Sequence, residues 1–132
     1  MEHFFKQGRR YAVAGASTNE AKFGFKVLKW YVDRNLPVTP INYRKETILG
    51  LPSIENIKQI DTSAEIGLSV VTPPDVSLQL VKDIATLDGK VKAMWFQPGT
   101  WNQDVIEQAQ KVVPVVIQDC VLVKGDKYLS KL

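Results

Sequence analysis

The chain has 132 residues, the size of one domain, which is long enough to bury a hydrophobic core without cross-links. Hydrophobic residues make up 45% and charged residues 23%, which excludes disordered and fibrous classes, and a net charge of +3 with no block of basic residues argues against a nucleic-acid surface. One cysteine, Cys120, and one histidine, His3, exclude a disulfide framework and a zinc site.

The N-terminal residues lack the apolar core of a signal peptide, and no apolar run approaches the ~18 residues needed to cross a membrane. The expected setting is cytoplasmic, with no membrane and no nucleic-acid partner. Oligomeric state is not legible.

In chain order, Tyr11–Ala14 reads as a first buried strand, followed by a small-residue loop and a helix with Phe23, Val27, Leu28 and Tyr31 on one face. Pro37 precedes a second strand, Val38–Ile41. Ile54, Ile57 and Ile60 predict a short, weaker helix. A third strand over Leu68–Thr72 ends at Pro73-Pro74, and Val76, Leu80, Ile84 and Leu87 then form a helical stripe. A fourth strand, Val91–Phe96, ends at Pro98-Gly99. Trp101, Val105, Ile106, Ala109 and Val112 make another stripe, and Pro114 introduces a fifth strand at Val115–Ile117. Strand and helix alternate throughout, so the predicted fold class is α/β: a single Rossmann-like three-layer domain over residues 1–132, with a five-stranded, mostly parallel sheet and helices on both faces.

In such sheets ligands bind beyond the carboxyl ends of the strands. The first loop, Gly15-Ala16-Ser17-Thr18-Asn19, with Lys22, Phe23 and Gly24 after it, runs from a strand into a helix, where backbone amides and the helix dipole favour an anion. It is neither a P-loop nor G-x-G-x-x-G, and Ser17 to Glu20 also has the spacing of a helix capping box. The second loop, Asn42-Tyr43-Arg44-Lys45, has no carboxylate where an NAD site carries one. Its cations suit a phosphorylated ribose, that of NADP or of coenzyme A, and Tyr43 suits covering an adenine. In the third loop Thr72, Pro73 and Pro74 make a rigid rim, or alternatively a helix start with proline in the first turn. The fourth offers Gln97 and the backbone at Gly99, with Trp95 and Phe96 as core or cleft wall.

Groups for catalysis are scarce. His3 stands far from the loops, Gly15 to Asn19 only approximates a nucleophile elbow, and Asp119 beside Cys120 opposes thiolate formation. No catalytic and no metal-binding residue is expected.

Taken together, Gly15-Ala16-Ser17 with Lys22 and Gly24, Pro40-Ile41-Asn42, Ile48-Leu49-Gly50, Pro73-Pro74, Trp95 to Gly99 and Asp119-Cys120 resemble the small CoA-binding-domain proteins, which are similar to the nucleotide-binding domain of the succinyl-CoA synthetase alpha subunit. The resemblance runs from about Phe5 to Cys120. It implies a Rossmann-like fold that binds coenzyme A, with Gly15, Ser17 and Lys22 at the diphosphate, Asn42 and its neighbours at the adenosine, and Pro73-Pro74 along the pantetheine. Where the family commonly continues Asn-Pro-Lys, this chain has Asn42-Tyr43-Arg44. The resemblance promises binding and not catalysis, and the reading adopted is a stand-alone coenzyme A or acyl-CoA binder that acts as carrier, sensor or regulator. Two alternatives stay open: an NADP-dependent oxidoreductase, and an interaction module whose cleft is filled by Phe23, Tyr43 or Trp95.

Overall fold

The structure is a computed structural model and describes residues 3–132. Its elements are β1 (Arg10–Ala14), α1 (Phe23–Asp33), β2 (Val38–Ile41), a small hairpin of β3 (Thr47–Ile48) and β4 (Leu51–Pro52), β5 (Ile66–Val70), α2 (Pro74–Ile84), β6 (Val91–Phe96), α3 (Gln103–Val112), β7 (Val115–Gln118) and α4 (Val121–Leu129). The main sheet has the order β2-β1-β5-β6-β7, and every neighbouring pair in it is parallel. The chain steps outward from β1 to β2 and then returns to the other side of β1 as β5. The switch point of the sheet therefore lies between the carboxyl ends of β1 and β5.

Side chains of a strand alternate between faces, and here the two faces differ in chemistry. Ala12, Leu68, Val70, Met94 and Phe96 pack with Leu80, Val81 and Ile84 of α2 and Val105, Ile106 and Ala109 of α3. Tyr11, Val13, Ala93 and Trp95 pack with Val27, Leu28, Trp30 and Tyr31 of α1 and Val121 of α4. Phe4 and Phe5 complete this second, aromatic face. They are held there by the buried Arg9 side chain, whose Nη1 donates to the carbonyls of His3 (2.6 Å) and Phe4 (2.9 Å). Within the same layer Tyr31 Oη and Ser69 Oγ share a buried hydrogen bond of 2.7 Å, and burial raises the Tyr31 pKa well above the ordinary tyrosine range.

Four local expectations are corrected. The third main-sheet strand starts at Ile66 and ends at Val70. Gly67 hides that start, since glycine is a poor strand former. A side chain there would press on the Tyr11 ring, 3.0 Å from its Cδ1. The isoleucines at 54, 57 and 60 do not share a helix: Ile54 bridges to Ile41, a single 3₁₀ turn covers Ile57–Gln59, and Asn56 caps it by accepting from the Lys58 amide. The hairpin at 47–52 and helix α4 are additional elements. In α4 the apolar stripe is interrupted by lysines and by Gly125, which is small because the Trp30 indole occupies the space its side chain would need.

Candidate functional site

Beyond the carboxyl ends of the strands the loops surround an open cleft of about 1110 Å³. Its centre is the switch point. Gly15 there has φ +87°, and a side chain on it would meet Val71 and Thr72 at 3.1 Å, so the β1 loop passes directly against the end of β5. The Gly15 and Ala16 amides both donate to the Ile41 carbonyl at 3.2 Å, which turns the chain sharply out of the sheet.

From that turn the loop climbs to α1. Ser17 Oγ accepts from the Asn19 amide and Asn19 Oδ1 from the Ala21 amide, each at 3.0 Å. The capping box does not form, because the helix begins only at Phe23, with Lys22 as its unassisted N-cap. Consequently the amides of Ser17 and Thr18, and the first-turn amides of Phe23 and Gly24, have no acceptor among the described residues. The first turn of α1 carries no acidic residue. Four unsatisfied donors at the positive end of a helix dipole, with the Lys22 ammonium beside them, make a setting for an anion.

The second loop is fastened to the first. Asn42 Nδ2 donates to the Ala16 carbonyl and Asn42 Oδ1 accepts from the Arg44 amide, both at 2.8 Å. The amide functions of Asn42 thus serve the protein's own backbone. The buried Ser53 hydroxyl steadies the far side, accepting from the Glu46 amide at 2.8 Å and donating to the Arg44 carbonyl at 3.2 Å. Tyr43 projects from this loop, 77% exposed, with the Arg44 guanidinium over its ring at 5.4 Å. Lys22 and Arg44 form no ion pair with any described residue, and Lys45 does not line the cleft.

At the third loop Thr72 and Pro73 line the cleft and Pro74 does not; Pro74 occupies the first position of α2, as a helix-start proline. Thr72 Oγ1 and Ser77 Oγ lie 2.8 Å apart and fix the corner. At the fourth, Gln97 is buried: its Oε1 accepts from the Val121 amide (2.6 Å) and its Nε2 donates to Cys120 Sγ (3.4 Å). Gly99 lines the cleft with open space around it. Trp95 and Phe96 are buried on opposite faces of the sheet and take no part in the lining. Trp95 therefore does not fill the cleft, and Phe23 is 55% exposed at its rim.

The cleft thus gathers every candidate contact residue except Pro74. Further lining comes from Val76, Gln79, Leu80 and Asp83, one side of α2 at helical spacing, and from Glu55, Asn56 and Ile57. Val76 and Leu80 belong to the apolar stripe read from the sequence, though Val76 is left exposed at the cleft, and Gln79 and Asp83 lie beside them on the helix. Around Ile57 the isoleucine spacing points to a short helix and not to the cleft, and the fold alone brings that segment over it. Asp83 is paired with Lys58 at 3.6 Å. Among the described residues no cluster of metal-ligating side chains occurs, and no helix is long and apolar enough to cross a membrane.

The family model described as CoA binding domain matches residues 9–126. Among solved structures, a hypothetical protein from Pyrococcus horikoshii OT3 superposes with a TM-score of 0.79 at 21% identity, covering 93% of this chain and 85% of its own. A conserved hypothetical protein from Pyrococcus furiosus gives 0.74 at 29% identity, with coverages of 88% and 98%, and a Thermus thermophilus protein gives 0.79 at 20%, with 92% and 91%. These likenesses agree with the Rossmann-like architecture. No curated protein matches the chain significantly. A family match that runs from the residue before β1 into α4, and so takes in the whole parallel sheet and its cleft, makes this chain a member of the CoA-binding-domain family.

Proposed function

We propose that the cleft binds coenzyme A or an acyl-CoA, and that this single domain acts as a carrier, sensor or regulatory module with no catalysis of its own. The observation that carries the reading is the set of free amides of Ser17, Thr18, Phe23 and Gly24 beside Lys22, at the switch point of an open cleft. The residues fit the group: the amides and Lys22 suit the diphosphate, Tyr43 and Arg44 the phosphorylated adenosine, and Pro73, Gln97 and Gly99 the path of the pantetheine arm. The absence of a carboxylate at Asn42 would serve NADP equally well, so the two cofactors must be compared directly.

Thermal unfolding in the presence of coenzyme A, acetyl-CoA, NADP, NAD and ADP makes that comparison. At a hundredfold excess over the dissociation constant a native-state ligand stabilises by about 2.7 kcal/mol, a shift of several degrees for a domain of this size. A rise with coenzyme A that exceeds the rise with ADP and shrinks in Lys22→Ala supports the proposal. A rise with NADP alone transfers the protein to the oxidoreductase class, and no rise with any of them leaves an interaction module.

A further inference from the structure

Among the described residues six large hydrophobic side chains are exposed, and three of them, Phe23, Tyr43 and Val76, line the cleft. Tyr43 stands beyond β2, at the nucleotide end of the proposed site. Phe23 and Val76 stand in the first turns of the helices that follow β1 and β5. Phe23 is the first residue of α1, which covers the aromatic face of the sheet, and Val76 the third residue of α2, which covers the aliphatic face. The close approaches of Gly24 to Gly15, and of Gly15 to Val71 and Thr72, bring the starts of these two helices to the same cleft.

Packing explains neither side chain. Phe23 is 55% and Val76 47% exposed, and neither belongs to a core cluster; the Lys26 ammonium lies over the Phe23 ring at 5.6 Å. The first turn of a helix ordinarily favours small polar and acidic residues, so two solvated apolar groups here are a cost that the fold does not recover. A ligand that covers them would recover it.

The neighbouring amides set what that ligand carries. An anion held at Ser17 to Gly24 lies beside Phe23, and the segment that follows it enters the cleft that Val76 also lines. In coenzyme A that segment is the pantoyl unit, with two methyl groups on a quaternary carbon. In a dinucleotide it is a ribose bearing hydroxyls. We infer that Phe23 and Val76 are specificity-determining lips which grip the branched aliphatic segment following the diphosphate and so select coenzyme A over NADP. The inference rests on the reading of the cleft proposed above.

Titration calorimetry of the wild-type chain and of Phe23→Ser, Val76→Ser and the double variant, using coenzyme A, 3′,5′-ADP and NADP as probes, tests it. The nucleotide 3′,5′-ADP lacks the pantetheine arm and the outer phosphate of the diphosphate, so the arm is read from the change between wild type and variants. The wild type is expected to bind coenzyme A about tenfold more tightly than 3′,5′-ADP, and the double variant to lose most of that advantage with 3′,5′-ADP unchanged. Equal affinity of the wild type for coenzyme A and 3′,5′-ADP, or an equal loss on both in the variants, overturns the lips and leaves coenzyme A binding standing. Tighter binding of NADP than of coenzyme A overturns the selectivity, and binding of neither cofactor removes the cleft reading as well. Unfolding curves of the variants accompany the titrations, and both exposed sites are expected to fold normally.

Discussion

Asn42 ties the end of β2 to the turn after β1: its Nδ2 lies 2.8 Å from the Ala16 carbonyl, while its Oδ1 takes the Arg44 amide at the same distance. Together with the Gly15 and Ala16 amides on the Ile41 carbonyl, this side chain holds the two loops as one wall. Asn42→Ala should cost about 1 kcal/mol in urea unfolding, the worth of one partly buried and one exposed hydrogen bond, and should weaken coenzyme A binding by loosening the amide-bearing turn. Asn42→Asp keeps the bond to Arg44 but sets a carboxylate against the Ala16 oxygen. It should therefore be at least as unstable at neutral pH and recover partly in acid. A variant with unchanged coenzyme A affinity would show that the tie has no part in shaping the site.

Gly24 lies against the Gly15 carbonyl so closely that a methyl group at position 24 would collide with its oxygen and reach within 3.2 Å of the Ser17 nitrogen. The obstacle is backbone, which cannot swing aside as a flexible side chain does. Gly24→Ala is expected to destabilise the chain by on the order of 2–3 kcal/mol and to abolish detectable ligand binding, since the displaced segment is the one that carries the free amides. Thermal unfolding and titration on the same sample report the two effects separately.

The Tyr31–Ser69 bond is buried completely, so removing one partner strands the other. Tyr31→Phe should lose about 1–2 kcal/mol, and the double variant Tyr31→Phe/Ser69→Ala should regain part of it, because no hydroxyl is then left without a partner. Denaturant midpoints of the two single variants and the double variant close the cycle. Burial, and not the Ser69 bond, raises the Tyr31 pKa in the folded state, so the fold keeps its full stability from this group below about pH 10, the unfolded value, and loses it as pH climbs above that.

Arg34 holds Asp126 through two bonds, Nε to Oδ1 at 2.6 Å and Nη2 to Oδ2 at 2.9 Å, and its guanidinium lies 4.2 Å from the centre of the Trp30 ring. The hydrogen bonds from Arg34 hold the Asp126 carboxyl below its ordinary pKa, and those from Arg9 do the same for Glu65. A depressed carboxylate stabilises the fold above the usual carboxylate range of about pH 4 and ceases to do so as pH falls through the folded value. The chain should accordingly lose stability below about pH 4, and Asp126→Asn should flatten that part of the curve. High salt should shrink the effect, since Asp126 faces solvent. An unaltered acid limb in the variant would assign the loss to other groups.

The parallel sheet was legible because its strands are short, apolar and bounded by Pro37, Pro73, Pro98 and Pro114. The loops after β1, β2, β5 and β6 were legible for the same reason: a strand's end marks the loop that follows. What escaped is tertiary in origin. Gly67 and Gly125 look like breaks in a strand and a helix until the rings of Tyr11 and Trp30 are seen beside them. Asn42 has the chemistry of a ligand contact, and only the fold shows the Ala16 carbonyl within its reach. The segment around Ile57 enters the cleft although its isoleucine spacing suggests only a short helix.

The exposed rim of the cleft and the two packed faces of the sheet are built from separate sets of residues. Phe23, Tyr43 and Val76 belong to neither core cluster, and Arg44 is exposed beside them. Replacements at these four positions cost the scaffold little, so they are free to drift where the core is not. Members of the family that share this sheet are therefore expected to diverge in ligand preference first at the rim, trading one bound molecule for another while the interior stays recognisably the same.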